Sequence, residues 1–194
     1  MGSSLLLASN SPRRLELLAE AGFEFQSIAP RVAEKFGVDL TLRELTAFNA
    51  IRKAMSVAHA HSKKIVLAAD TLVALNDRVI GKPADVGEAV AILRRLSGRA
   101  HEVCSAVFVC HLGSARSTSF YEISRVYFRR LSDSAIRAYV DKVNPLDKAG
   151  AYAAQGLGGE IIEKIEGSYS NVVGLPMEKT TSALAEFGIR PTST

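Results

Sequence analysis

Two arginines stand where a helix is predicted to begin, at a polar break after an apolar run. The segment SNSPRR at residues 9–14 places Pro12 at the first helical position and Arg13 and Arg14 in the first turn. The positive end of the helix dipole disfavours cations there, whereas a bound anion would accept hydrogen bonds from the backbone and from both guanidinium groups. The pattern therefore predicts a phosphate site that includes Ser9, with solvated arginines as the alternative.

A carboxylate follows the most apolar run of the chain. Residues 65–69 (IVLAA) read as a buried strand, and Asp70 and Thr71 come directly after it. Ligands of α/β sheets bind at the carboxyl ends of strands, so Asp70 suits a metal ligand or a general base, with an ordinary turn aspartate as the alternative. Glu34 and Lys53 are each unremarkable alone and are typical of a solvated face.

A lysine between a glycine and a proline has little freedom, which favours a phosphate contact for Lys82 in the segment GKP at residues 81–83. The segment is not a P-loop, and QGLGG at residues 155–159 is not a dinucleotide fingerprint, because required residues are missing from both. The chemistry-bearing candidates are the cations Arg13, Arg14, Lys53, Lys82 and Lys148 and the carboxylates Glu34, Asp70 and Asp147. Cations that hold a polyphosphate, with acids that hold a divalent ion and activate water, make a phosphate-transfer site.

The composition is that of one globular domain, which we place at residues 1–194. Hydrophobic residues make up 47% of the chain and charged residues 23%, which excludes a disordered or coiled-coil protein. The net charge of +4 fits either a nucleic-acid face or a pocket for a small polyanion. The basic candidates fall in motifs that also carry acids, and with 7% aromatic residues and no Trp there is no base-stacking stripe. We therefore expect the pocket, and no nucleic-acid partner.

The elements that must position these residues alternate between helical and strand patterns, which predicts an α/β fold with an elongated mixed sheet. The strand at residues 65–69 is expected to end at Asp70, and residues 101–129 are expected to contain a long antiparallel hairpin. Cys104 and Cys110 share one face of a hairpin strand, too far apart to bridge, and are expected to be buried thiols. No run approaches 18 apolar residues, so we expect no membrane span and a cytoplasmic protein.

Taken in order, the motifs resemble the Maf family of nucleoside triphosphate pyrophosphatases, the septum-formation inhibitor proteins. The segments that carry the resemblance are Leu-Ala-Ser-Asn-Ser-Pro-Arg-Arg at 7–14, Ala-Asp-Thr at 69–71, Gly-Lys-Pro at 81–83, Leu-Ser-Gly at 96–98, Asp-Lys-Ala-Gly-Ala-Tyr at 147–152, Gln-Gly at 155–156 and Val-Gly-Leu-Pro at 173–176. Each is modest alone, but the ordered set is highly specific and covers nearly the whole chain. The resemblance implies an elongated α/β fold related to the inosine triphosphatase architecture, with two lobes around a cleft.

The resemblance also implies an activity, the hydrolysis of a nucleoside triphosphate between its α and β phosphates. Asp70 would be the general base or a metal-linked carboxylate, and Glu34 would assist the metal or the water. The phosphates would be held by Arg13, Arg14, Lys53 and Lys82. Of these cations, Lys53 and Lys82 belong to the catalytic set with the two acids. The expected cofactor is a divalent cation, Mg²⁺ or Mn²⁺, held by Asp70 and Glu34.

Arg13, Thr71 and Gln155 match the positions that differ between subgroups of the family. The resemblance implies the dTTP and UTP subgroup rather than the one that acts on 7-methyl-GTP, with Thr71 and Gln155 bonding a pyrimidine edge. Ala33 stands where the family usually has an acid, which bears on metal affinity and not on the reaction class. The alternative function is a non-catalytic nucleotide- or RNA-binding regulator of cell division. The oligomeric state stays open, with a homodimer as one possibility.

Overall fold

The computed structural model describes residues 4–36 and 39–192. The strands are β1 (Leu5–Leu7), β2 (Gln26–Ser27), β3 (Ile65–Leu75), β4 (Arg78–Ile80), β5 (Ala100–His111), β6 (Arg116–Phe128) and β7 (Ile162–Glu166). The helices are α1 (Pro12–Glu20), α2 (Leu42–Ala58), α3 (Val86–Leu96), α4 (Asp133–Lys142), α5 (Gly158–Ile161), α6 (Tyr169–Val173) and α7 (Met177–Glu186). In this part of the chain the strands form one mixed sheet in the order β2-β1-β3-β5-β6-β7, with β4 beside β3. The predicted mixed α/β class is confirmed.

The central strand β3 continues through the position where the sequence pattern predicts its end. On one edge, residues 65–67 pair in parallel with β1, and residues 73–75 pair with β4 in the antiparallel direction. On the other edge, β5 pairs with residues 66–74 without interruption. The prediction that the strand ends at Asp70 is wrong, because this continuous partner keeps the backbone extended across the polar pair. Asp70 and Thr71 therefore lie in mid-strand, at the gap between β1 and β4.

Side chains alternate along β1, β3 and β5, so the sheet has two apolar faces. The face toward α2 buries Leu6, Ala8, Val66, Ala68 and Cys110 against Ala54, Val57 and Ala58. The face toward α1 and α7 buries Leu5, Leu7, Leu67, Ala69, Val107 and Val109 against Leu18, Ala183 and Leu184. By the same alternation, Asp70 points toward α2 and Thr71 toward α1.

A second core lies beyond the polar pair. It joins the ends of β3 and β5 to α3 and α4, through side chains that include Val73, Val103, Ile92, Ile136 and Tyr152. The polar pair at the middle of β3 thus lies where the second core begins, with Asp70 on the α2 face of the sheet and Thr71 on the α1 face. This arrangement agrees with the predicted pair of lobes around a cleft.

The predicted hairpin is confirmed, with β5 and β6 joined by a short 3₁₀ turn at Leu112–Ser114. Cys104 and Cys110 lie on β5 as buried free thiols, as predicted. β2 is short, and its residues Gln26 and Ser27 pair with β1. None of the helices in the described ranges is long and apolar enough to span a membrane.

Candidate active site

A cavity of about 470 Å³ opens at the middle of β3. All the predicted cations and carboxylates line it, namely Arg13, Arg14, Lys53, Lys82, Lys148, Glu34, Asp70 and Asp147. Ser9 and Thr71 line it as well. The structure thus brings together side chains from widely separated segments, as the sequence analysis predicts.

Lys53 connects the two candidate catalytic carboxylates. It lies on the buried face of α2, one turn after Asn49 and one turn before Val57. Its Nζ donates to Oδ1 of Asp70 at 2.5 Å and to Oε1 of Glu34 at 2.6 Å. Asn49 Nδ2 donates to Oδ2 of Asp70 at 3.3 Å, so both oxygens of this buried carboxylate have a partner. The ammonium offsets the repulsion between two carboxylates that face the same point.

Glu34 also receives the ammonium of Lys82, which lies 3.2 Å from Oε2. Burial alone would raise the pKa of Glu34, but the ion pairs and hydrogen bonds with Lys53 and Lys82 outweigh burial and lower it to about 2. Glu34 is therefore a carboxylate at neutral pH. It is available to accept a hydrogen bond from water or to bind a cation.

The donor set of Asp70 and Glu34 has the chemistry of a Mg²⁺ or Mn²⁺ site that substrate would complete. Among residues 4–36 and 39–192, no three His, Cys, Asp or Glu side chains are grouped to hold a metal. Magnesium is commonly held by one or two carboxylates together with substrate phosphates and water. Two carboxylates that contact the same ammonium are close enough for that arrangement. The residues therefore fit a cation shared with a bound triphosphate.

Asp147 forms ion pairs with two further cationic side chains at the cavity. Arg13 Nη1 donates to Oδ2 of Asp147 at 3.4 Å, and Lys148 Nζ donates to Oδ1 at 2.5 Å. Lys148 Nζ also donates to the carbonyl of Asn144 at 2.6 Å. Since Arg13 belongs to α1 and Lys148 to the segment before residue 149, Asp147 holds cations from two sides of the cleft over the same cavity.

Arg14 differs from Arg13 because it is buried and held by protein groups. Its Nε donates to the carbonyl of Gly174 at 2.8 Å, and its Nη2 donates to Oγ1 of Thr71 at 2.9 Å. Consecutive helix positions point about 100° apart, which separates the two arginines. Arg14, predicted as a phosphate clamp equivalent to Arg13, uses these two nitrogens to tie α1 to β3 and to the segment after α6.

The hydroxyl proton of Thr71 is engaged by the protein. It accepts from Arg14 and lies 2.8 Å from the hydroxyl of Ser105. Ser105 donates its own proton to the carbonyl of Asn171 at 2.9 Å, so the Thr71 proton goes to Ser105 or to the carbonyl of Gly174. A hydroxyl has one proton to donate. A bond donated by Thr71 to a pyrimidine would therefore have to replace one of these contacts.

Ser9 is buried at the cavity, where its Oγ accepts the backbone N–H of Ser11 at 3.0 Å. Ser11 occupies the N-cap position of α1 as predicted, but its side chain makes no capping hydrogen bond. Gln155 is not among the residues that line the cavity, although Ala153 and Ala154 are. Its contact with a base stays a prediction.

The sequence analysis assigned no role to Asn49, Tyr152 or Asn171. Asn49 lies one helical turn before Lys53, and that spacing is the signal that could have placed it beside Asp70. Tyr152 lines the cavity, and its hydroxyl lies 2.8 Å from Nε2 of His101. Asn171 is fully buried and bonds β5 and β6, partners that no local pattern identifies.

Comparison with known proteins identifies the relatives of this site. The family profile described as "Maf-like protein" matches residues 4–187. The chain belongs to the Maf family. A Maf relative from Carboxydothermus hydrogenoformans, named dTTP/UTP pyrophosphatase, is 44% identical over 184 residues, which cover 95% of this chain and 98% of the relative. A relative from Bdellovibrio bacteriovorus with the same name is 41% identical, over 96% of this chain and 100% of the relative.

The Maf fold extends to a more distant solved structure. The Staphylococcus aureus Ham1 protein superposes with a TM-score of 0.50 at 15% identity, over 94% of this chain and 98% of that protein. This similarity covers both cores, so the α/β architecture around the cleft is shared by the two proteins.

Proposed function

We propose that the chain hydrolyses dTTP and UTP to the nucleoside monophosphate and pyrophosphate. Its relatives are named for this activity, at 44% and 41% identity over almost the whole chain. The observation that carries the proposal is the charged end of the cavity, where Lys53 joins Asp70 to Glu34 beside Lys82 and Arg13. We define these five residues as the charged end.

The cations of the charged end suit a triphosphate rather than a single phosphate. Arg13 offers a planar guanidinium that can bond two phosphate oxygens at once, and Lys82 offers an ammonium on a side chain that is 46% exposed. Both cations are now paired with carboxylates that a triphosphate can replace as partners. Bound in this way, the phosphates would lie against the start of α1, whose backbone N–H groups favour an anion.

In the proposed reaction, the oxygen of a water molecule attacks the α-phosphorus. The bond from this phosphorus to the oxygen that bridges the α and β phosphates breaks, and pyrophosphate leaves with the bonding electrons. Asp70 takes the proton of the attacking water, because its carboxylate is fixed in position by Lys53 and Asn49. Lys53 and Lys82 offset the charge that builds on the phosphate oxygens.

We further propose that Asp70 and Glu34 hold a divalent cation, Mg²⁺ or Mn²⁺, together with the triphosphate. Such a cation neutralises phosphate charge and helps to orient the substrate. Lys53 contacts both carboxylates, so it limits the negative charge at the site when no substrate is present. The same contact keeps the two carboxylates facing a common point.

A panel of nucleoside triphosphates, assayed for pyrophosphate release with and without Mg²⁺ or Mn²⁺, tests the activity. We expect dTTP and UTP to be hydrolysed well ahead of GTP, with the monophosphate as the second product. Equal rates on all bases would contradict the pyrimidine preference. Tight binding of nucleotide or RNA without any turnover would support the alternative of a non-catalytic regulator.

Asp70→Asn tests the assignment of the general base. We expect turnover of dTTP to fall by at least about 10²-fold, in line with the usual contribution of a positioned acid or base. The matched control is Asp133→Asn, because Asp133 is exposed, pairs with Arg94, and is not among the residues that line the cavity. Near-normal turnover in a folded Asp70→Asn protein would exclude Asp70 from this role.

A further inference from the structure

The cavity has an apolar end that the charged chemistry leaves unused. Its walls belong to the second core and include Val73, Val103, Tyr152 and Val172, together with Ala149 and Ala154. We define these six residues as the apolar end. A phosphate would lose its hydration there without gaining a partner, because these six side chains offer no positive charge and no free hydrogen-bond donor. Of the two ends, the apolar end is therefore the better match for the base of a nucleotide whose triphosphate lies at the charged end.

Tyr152 is the only aromatic side chain of the apolar end as the structure describes it, and it is held rigidly. Its ring makes edge contacts with Phe128 at 4.9 Å and with His101 at 5.4 Å between centroids. Its hydroxyl lies 2.8 Å from Nε2 of His101, so this polar atom is not free to bond a base. Tyr152 can act on a base only through the shape and surface of its ring.

Two locally unfavourable features lie next to Tyr152. His101 is 2% exposed, and its Nδ1 has no hydrogen-bond partner among residues 4–36 and 39–192, which is costly for a buried polar atom. The preceding residue, Ala151, has a φ of 62°, a conformation that residues with a Cβ rarely adopt. Unfavourable local conformations of this kind cluster at functional sites.

The backbone turn before Tyr152 also connects it to the charged end. Gly150 has a φ of 73°, and a Cβ there would meet the Tyr152 ring at 3.2 Å and Val73 at 3.1 Å. The N–H of Gly150 donates to the carbonyl of Gly81 at 3.1 Å, directly before Lys82. The position of the Tyr152 ring is thus fixed relative to the phosphate-binding lysine.

Thr71 cannot donate a hydrogen bond to the base without giving up a contact, because its single proton already goes to Ser105 or to the carbonyl of Gly174. Selection by size then falls to the walls of the apolar end. A rigid wall discriminates through the clash that it imposes on a larger ligand, whereas a wall that can swing aside does not.

We propose that Tyr152, braced by His101, is the wall that limits the base pocket to a single ring and so selects pyrimidine over purine nucleotides. The inference rests on the proposed function, since it names a specificity-determining residue for that reaction. His101 acts through Tyr152 and is a positioning residue. The proposal requires that a purine base, placed with its phosphates at the charged end, would overlap the Tyr152 ring with its second ring.

The test compares kcat/KM for dTTP and dGTP in the wild type, Tyr152→Ala and Tyr152→Leu. We expect the wild type to prefer dTTP, and the ratio of dGTP to dTTP to rise at least tenfold in Tyr152→Ala. Tyr152→Leu keeps most of the core volume and is expected to shift the ratio in the same direction by a smaller factor. If Tyr152→Ala does not fold, the ratio measured for Tyr152→Leu tests the proposal instead.

Ile136→Ala is the matched control, because Ile136 is fully buried in the same core and does not line the cavity. It loosens the second core without enlarging the base pocket, so its ratio should stay at the wild-type value. An unchanged ratio in the folded Tyr152 variants, or an equal change in Ile136→Ala, would overturn the proposal.

The same variants separate this inference from the proposed function. If the wild type hydrolyses neither nucleotide, the proposed function fails, and the ratio of the dissociation constants for dTTP and dGTP then replaces the kinetic ratio. A wild-type preference for dTTP in binding that Tyr152→Ala removes would still support the wall. Equal binding of both nucleotides by the wild type would refute it.

Discussion

Removing the ammonium of Lys53 should destabilise the fold far more than removing a surface lysine. The side chain of Lys53 is 8% exposed, and that of Asp70 is 2% exposed. In Lys53→Met, the buried carboxylate of Asp70 keeps only the amide of Asn49, and it faces Glu34 without a cation between them. The substitution therefore leaves the buried carboxylate of Asp70 without its ammonium and beside Glu34, which still pairs with Lys82.

The size of the effect follows from the cost of an unpaired buried charge. Removing one partner of a buried ion pair typically destabilises a protein by about 3–5 kcal/mol. In a domain of this length each kcal/mol lowers Tm by about 2–4 °C, so we expect a loss of roughly 6–20 °C. Adding Asp70→Asn to Lys53→Met removes one of the two carboxylate charges, and it should recover part of that loss.

Thermal melts at neutral pH measure the effect, and Lys82→Met is the matched control. Lys82 pairs with the same Glu34, but its side chain is 46% exposed, so its removal should cost less than about 1 kcal/mol. If Lys53→Met melts within a few degrees of Lys82→Met, then the bridge is not the buried, charge-balancing contact described above. The reasoning would also be refuted if the double variant were less stable than Lys53→Met.

Two further predictions concern pH. The pKa of Glu34 in the folded protein is about 2, below the ordinary value of 4.5, so its stabilising effect is complete above pH 4.5 and is lost as the pH falls toward 2. The difference in Tm between the wild type and Glu34→Gln should therefore shrink over that range, and a constant difference would contradict it. Burial lowers the pKa of His101 from 6.5 to about 4. Between pH 6.5 and pH 4, His101 is therefore protonated in the unfolded chain but neutral in the folded protein. The wild type should lose stability from pH 6.5 to 4 relative to His101→Phe, and parallel pH profiles of the two proteins would disprove the buried neutral histidine.

Residue types and their order predict the contents of the cavity well. A lysine between glycine and proline, or two arginines at a helix start, is unusual enough locally to indicate an anion site, and both line the observed cavity. The strand boundary at Asp70 could not be predicted in this way. A carboxylate after an apolar run reads as a strand end, because the lysine that makes its burial tolerable lies on α2 and pairs with it only in the folded chain.

The different contacts of Arg13 and Arg14 also could not be predicted from the sequence. Both arginines have the same local signal, and only packing decides that Arg14 turns to Gly174 while Arg13 faces Asp147. His101 reads as an ordinary strand residue, since its partner Tyr152 comes from a distant turn. Local patterns therefore identified which segments meet, whereas the division of labour among neighbouring side chains required the tertiary contacts.

The change of partner along one edge of β3 accounts for both ends of the cavity. Where β1 stops and β4 has not begun, Asp70 and Thr71 extend from a strand that β5 still holds in place on the other edge. Rigid strand positions define a site more closely than a loop does. Because side chains alternate, Asp70 points toward the cation of α2, whereas Thr71 and Val73 face the lobe that carries Tyr152. One strand thus places the charged groups and the proposed wall of the base pocket in fixed register, with about 3.3 Å of rise per residue between them.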